Sequence, residues 1–368
     1  MNKKLHIVSF DVPYPPNYGG AIDVFYKLKA LAASGVTIYF HAFEYGRGGH
    51  KELEKYCKTV FYYKRNYTRN LFSSIPFTIS SRSNKKLLEN LKKIEAPVLF
   101  EGLHTTYWLF KQGFRDRKVL VRAHNIEHLY FQGLCSSEKN ILKKLFFKIE
   151  AGRFFRYEDL LEKVDHILTI SPSEQSYFAK KFGEKSIYVP VFHQNEAVRT
   201  LAEKGEYALY HGDLRISDNR RAVNFLIDVF NGLSYNLVVA SSFKNKKVLK
   251  RINKHPNISF SPIEDQNQLL ALFEKAHINV LPTFQKTGIK LKLINTLYNG
   301  RFCLANNEML ADTGLESICM MANTRKEFRQ KIRNLFNEDF SLENYRSRRA
   351  ILKNFDNRKS AEQIKTLI

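Results

Sequence analysis

The chain has 368 residues, 44% hydrophobic and 26% charged, enough apolar material for two cores and too much for a disordered chain. Its formal charge of +23 speaks of anionic partners and not of fold. Cys57, Cys135, Cys303 and Cys319 form no Cys-x-x-Cys pair, which excludes a disulfide framework and a zinc knuckle, and no apolar run approaches the roughly 20 residues of a membrane helix.

The charged opening Met1–Lys4 leads straight into a strand-like run, so a cytoplasmic location is expected. Three partner classes suit the charge: nucleic acid, an anionic membrane face, or anionic small substrates. No zinc finger, RNA-binding sheet signature or separate basic tail is present, and nucleic acid is not expected as a partner.

Apolar runs at Leu5–Phe10, Val36–Phe43, Thr59–Tyr63, Pro97–Glu101, Lys118–Arg122 and His166–Ile170 read as short buried strands. Amphipathic segments such as Ile22–Ala33 and Lys85–Lys93 lie between them. The pattern restarts with Tyr207–Tyr210, Asn236–Val239, Ile258–Phe260, Ile278–Leu281 and Phe302–Ala305, separated by Arg221–Phe230 and Gln266–Lys275. Alternation of this kind predicts an α/β protein with two doubly wound, Rossmann-like domains facing an interdomain cleft. The expected division is 1–192, 193–343 and a charged helical tail 344–368, which could return to the first domain.

Ligands of such sheets bind at the carboxyl ends of the strands. After the first strand comes Pro15-Pro16-Asn17-Tyr18-Gly19-Gly20 and a helix. Gly19 and Gly20 at a helix start let an anion approach backbone N–H groups, although a turn that needs Gly reads the same way. After Lys118–Arg122 comes His124-Asn125-Ile126-Glu127-His128. This spells the His-x-x-Glu-His of a zinc site, but that motif needs both histidines inside one helix, and His124 sits at a strand end. A core histidine pair and a cleft residue near the substrate are the other readings.

In the second half, Tyr210-His211-Gly212-Asp213-Leu214 precedes Asn219 and a helix. Leu281-Pro282 leads through Thr287-Gly288-Ile289-Lys290-Leu291-Lys292 into Leu293–Asn299. A strand end, a Gly and a helix start form a phosphate-friendly geometry. Lys290 and Lys292 are two apart and cannot share a helix face, so one of them at most is expected in the cleft.

In order and spacing these pieces, with Ser171-Pro172-Ser173-Glu174, resemble the retaining glycosyltransferases of GT-B fold, typified by bacterial mannosyl- and glucosyltransferases. The resemblance covers nearly the whole chain. It implies transfer of a sugar from a nucleotide diphosphate donor to an acceptor hydroxyl, with no metal and no other cofactor. It places Gly19 and Gly20 beside the donor phosphates and His124 near the donor sugar. Gly212 and the N–H groups around Ile289–Leu291 would hold the diphosphate, and Glu264 would border the base. The positions of the family's paired glutamates read Thr287 and Asn295, and its cations after the Gly are replaced by Asp213 and Asp218. Lys290, ahead of Arg215 and Arg220, is the expected substitute cation, and Asn295 can still hydrogen-bond a ribose.

Lys139–Arg156 mixes Lys143, Lys144, Lys148, Arg153 and Arg156 with Leu145, Phe146, Phe147, Phe154 and Phe155. Such a helix suits an anionic inner-membrane surface, and the expected acceptor is a lipid-linked or surface glycan intermediate. The rival functions are a catalytically silent GT-B scaffold or binding protein, and a nucleotide-sugar epimerase on the same fold.

Overall fold

The computed structural model describes residues 3–67, 74–201, 203–285 and 290–368. The chain divides into two compact units. The first is Met1–His193 with Phe355–Ile368, and the second is Gln194–Asn354.

The first unit is built on a parallel sheet: β1 (Lys4–Ser9), β2 (Thr37–Glu44), β3 (Thr59–Lys64), β4 (Val98–Glu101), β5 (Val119–Ala123), β6 (His166–Thr169) and β7 (Ser186–Tyr188). Its order is β3-β2-β1-β4-β5-β6-β7. Helices cover both faces, so successive residues of a strand enter different cores. In β5, Val119 and Val121 join one apolar cluster with Phe100, Phe131 and Phe154. Leu120 joins the other, with Leu5, Ile7, Leu28 and Phe40. The terminal helix Asn357–Leu367 belongs to this second layer through Ala361 and Ile364.

The second unit repeats the plan with β8 (Tyr207–His211), β9 (Leu237–Ser241), β10 (Ile258–Pro262), β11 (Ala276–Leu281), β12 (Phe302–Ala305) and β13 (Met320–Met321). The order is β10-β9-β8-β11-β12-β13, again parallel. Ala208 and Tyr210 of β8 face the larger core, and Leu209 faces a smaller one with Ala240 and Phe273.

In each sheet the first strand is central and the connections reverse direction beside it. The reversals lie between β1 and β4 and between β8 and β11. Loops leaving the carboxyl ends of those pairs diverge there, which opens a crevice for a ligand.

Candidate active site

In the first unit β5 ends at Ala123, and His124 follows at the rim, 8% exposed. His124 Nε2 lies 3.0 Å from Glu101 Oε2 at the end of β4. Both Glu101 oxygens accept from Lys27 Nζ, at 2.7 and 2.9 Å. Lys27 also donates to Asp23 Oδ2 at 2.9 Å. Asp23 accepts from Arg122 Nη2 at 2.9 Å and from the Phe192 backbone at 2.8 Å. Lys27 and Asp23 are one turn apart on the helix Gly19–Ala33, which aims them at the strand ends together. Two buried cations thus match two buried carboxylates, as burial demands. Burial raises the proton affinity of Glu101, but the Lys27 ammonium and the His124 contact hold its carboxyl below the usual range. A carboxylate can only accept, so Nε2 donates to it, and in a neutral imidazole Nδ1 then keeps a lone pair. Nδ1 is buried and has no partner among the described residues; the Phe10 ring stands edge-on to the imidazole at 5.4 Å.

Asp23, Glu101 and His124 each bring one donor atom within 4.8 Å of the others, a grouping that a cation could use. The carboxylates are already occupied by Lys27 and Arg122. His128 pairs instead with Glu158, with Nδ1 3.3 Å from Oε2. The His-x-x-Glu-His spacing therefore does not gather its two histidines on one centre.

A second polar group lies beside this network. Glu127, in the first turn of the helix Glu127–Ser137, is 2% exposed. Its polar neighbours are Asn125 and His104, whose Nε2 is 3.5 Å from Oε2. Burial pushes the Glu127 carboxyl up to about 8. Burial, helped by Arg82 and His124, pushes His104 down to about 3. At neutral pH this is a carboxylic acid beside a neutral imidazole. Glu174, on the neighbouring helix Pro172–Phe182, is pushed up to about 7 by burial. Neither Glu101 nor Glu127 was expected at the site. The signal available was a charged residue closing an apolar strand run, Val98-Leu99-Phe100-Glu101.

Gly19 opens its helix, and Gly20 lies close under the Phe10 ring. A Cβ at Gly20 would lie 2.7 Å from Cζ of Phe10. The turn before them is tied by Tyr18, whose hydroxyl donates to Asp11 Oδ2 at 2.9 Å, and by Arg47 stacked 4.8 Å from the Tyr18 ring.

In the second unit the crevice between β8 and β11 is lined by a lysine-centred group. Lys292, in the first turn of the helix Leu291–Asn299, donates to Asn219 Oδ1 at 2.6 Å and stands 5.3 Å from the Tyr210 ring centre. Asn219 in turn donates to the Asp213 carbonyl at 2.8 Å. Gly212 leaves room for this arrangement, since a Cβ there would meet Asn219 at 3.2 Å and the Tyr210 hydroxyl at 3.1 Å. Burial lowers the Lys292 ammonium to about 8, and Asp218 opposes that fall. Lys290 caps the helix from outside and donates to the Gln285 carbonyl at 3.0 Å; burial lowers its ammonium too. The face-sharing objection to the two lysines does not apply, because Lys290 precedes the helix. Asp218 raises both ammonium groups, and Lys290 adds to the lowering of Lys292.

The alternative cations are committed elsewhere. Arg215 Nη2 is 2.7 Å from Asp213 Oδ2, and Arg220 donates to the Leu214 carbonyl at 3.0 Å. Asp218 ties the β11 loop by accepting from Thr283 Oγ1 at 2.7 Å and from the Phe284 backbone at 3.0 Å. Asn295 Oδ1 accepts from Gln194 and Asn299, both at 3.0 Å. Glu264 is exposed just past β10, its backbone bonded to Gln268 Oε1 at 2.8 Å. Thr287, Gly288 and Ile289 lie outside the described residues. His211, which ends β8, is buried with neither ring nitrogen partnered among the described residues, and burial pushes it down to about 3.

Solved structures share this pair of sheets over the whole chain. TarM superposes with a TM-score of 0.69 at 11% identity, covering 100% of this chain and 98% of that one. The lipopolysaccharide outer core galactosyltransferase WaaB gives 0.64 at 13% identity, with 98% and 99% covered. A glycosyltransferase from Rickettsia africae ESF-5 gives 0.64 at 12%, with 100% and 97% covered. The fold is GT-B. No protein-family model matches the chain. In sequence it is similar to a Klebsiella pneumoniae protein described as an uncharacterized 44.6 kDa protein in cps region, at 26% identity over 334 residues, 84% of each chain.

Proposed function

We propose that this protein is a glycosyltransferase that moves a hexose from a nucleotide diphosphate sugar to an acceptor hydroxyl, with retention. The observation that carries the reading is Lys292, a partly desolvated ammonium held by Asn219 at the β8–β11 crevice of a GT-B chain. A leaving diphosphate develops charge as the glycosidic bond breaks, and fixed cations and N–H groups stabilise it without a metal. Lys290 adds a second charge at the same helix start. In this reading His124 serves the donor sugar, its Nδ1 lone pair accepting a hydroxyl hydrogen while Glu101 holds the ring.

Retention needs no protein nucleophile here: the leaving phosphate takes the acceptor's proton as the acceptor oxygen bonds to the anomeric carbon on the same face. The acceptor is a lipid-linked or surface glycan intermediate, a reading supported by the similarity to a cps-region protein and by the basic first domain.

The test is release of nucleoside diphosphate from UDP- and GDP-sugars with lipid-linked glycan acceptors, and the anomeric proton coupling of the product. An axial linkage from an axial donor supports retention; an inverted product removes the same-face route. A silent scaffold is favoured by one feature, the amide bonding of Asn295 where the family has a glutamate. Binding of donor without turnover would establish it.

A further inference from the structure

The helix Ile141–Tyr157 has a face that the first domain does not cover. Phe147, Glu150, Ala151, Phe154 and Tyr157 turn inward, and Phe154 and Tyr157 join the core. At roughly 100° per residue, Ile141, Leu142, Leu145 and Ile149 fall on the opposite side, and Phe146 lies at its edge. All five are exposed, Ile141 at 81% and Leu142 at 78%. Leu129, on the helix packed alongside, is exposed too. A run of this size on a soluble surface marks an interaction site.

Its edges say what it meets. Lys144 and Lys148 flank the apolar stripe and Arg156 continues it. Lys144, Lys148 and Arg156 make no salt bridge among the described residues. Between Glu138 and the buried Glu150 there is no acidic side chain. A protein partner of ordinary composition would need acids at each of these lysines and an apolar groove between them. An anionic bilayer supplies both at once: phosphate headgroups for the ammonium groups and acyl chains for the leucines. Lysine stems can reach up to the headgroups while the apolar stripe sinks below them.

We infer that Ile141–Ile149 is an interfacial membrane element, inserting Ile141, Leu142, Leu145 and Ile149 into the acyl boundary with Lys144 and Lys148 on headgroup phosphates. The inference deepens the proposed lipid-linked acceptor and rests on that reading for its purpose. Its chemistry is independent of the donor site.

The test is co-sedimentation of the full chain with vesicles of mixed phosphatidylglycerol and phosphatidylcholine, against vesicles of pure phosphatidylcholine. Binding is expected to the mixed vesicles alone. Leu142→Ser with Leu145→Ser should abolish it. Lys144→Glu with Lys148→Glu should weaken it by at least about 25-fold, at roughly fivefold for each lysine charge lost near the surface. Both double variants replace exposed side chains, so their melting temperature and any melting shift with nucleotide should match the wild type. Absence of vesicle binding overturns the inference, as does equal binding to neutral vesicles. A wild-type dimer that the leucine variant splits would assign the stripe to a second copy instead. Vesicle binding without any nucleotide response would leave this inference standing and remove the donor reading.

Discussion

His124 Nε2 sits 3.0 Å from Glu101 Oε2, and the same carboxylate holds Lys27 at 2.7 Å. The imidazole at the rim is therefore oriented by a buried ion pair rooted in the first helix. The pairing keeps the imidazole proton on the Glu101 side and leaves Nδ1 as a buried acceptor.

His124→Ala should leave the fold intact, because the residue closes no core. Loss of one sugar hydrogen bond costs about 1–3 kcal/mol, so kcat/KM should fall roughly ten- to hundredfold. Steady-state kinetics with saturating acceptor reads it. An unchanged kcat/KM removes His124 from the site.

Glu101→Gln should instead act on stability. It leaves the Lys27 ammonium with Asp23 as its remaining carboxylate partner, and breaking a buried pair costs about 3 kcal/mol or more. Urea unfolding of the variant measures this. A midpoint equal to the wild type would mean that the network is wet and weak.

The buried carboxyls give a pH signature. Glu127 is pushed up to about 8 in the fold from an ordinary 4.5. Between those values the unfolded chain has lost the proton that the folded one keeps, so folding stability falls as pH rises. The slope approaches 1.4 kcal/mol per pH unit at most for one group. Glu127→Gln should flatten the curve between about pH 5 and 8, leaving the smaller contribution of Glu174. Denaturation curves over that range with no change in slope would contradict the placement of Glu127.

Lys292→Met should weaken nucleoside diphosphate binding more than Lys290→Ala does, since Lys292 is the more fixed of the two. Its ammonium is lowered to about 8 by burial, so diphosphate affinity should decline above that pH as the charge is lost. Isothermal titration at several pH values, in buffers of different ionisation heat, also shows the proton taken up on binding. A pH-independent affinity in the wild type would assign the charge elsewhere.

Much of the fold was legible because parallel strands buried on both faces appear as continuous apolar runs, as in Val98-Leu99-Phe100 and Val119-Leu120-Val121. β13 was not, since Met320 and Met321 form a two-residue edge strand with no run to see. The site was harder. Asp23, Glu101 and Arg122 meet across distant stretches of chain, and nothing local marks a charge that will be buried. Lys292 is hard to single out in the sequence, because Lys290 occupies the helix start where a phosphate-binding cation is expected. The zinc-like spacing gathers no centre: His124 and His128 are near in sequence, yet each has its own glutamate.

A chelator separates the remaining chemistry. Asp23 and Glu101 are neutralised by Lys27 and Arg122, so EDTA should change neither melting temperature nor turnover. A drop in both, restored by one divalent ion, would put a metal on Asp23, Glu101 and His124.

The central claim is that a nucleotide diphosphate sugar binds the folded chain, and a thermal-shift screen against UDP, GDP and their common sugars tests it most directly. A ligand that binds only the native state raises its melting temperature, by about 2.7 kcal/mol of stability at a hundred times Kd. A clear rise with one base family, lost in Lys292→Met, is the expected result. No rise with any nucleotide would contradict the donor site and put the scaffold reading in its place.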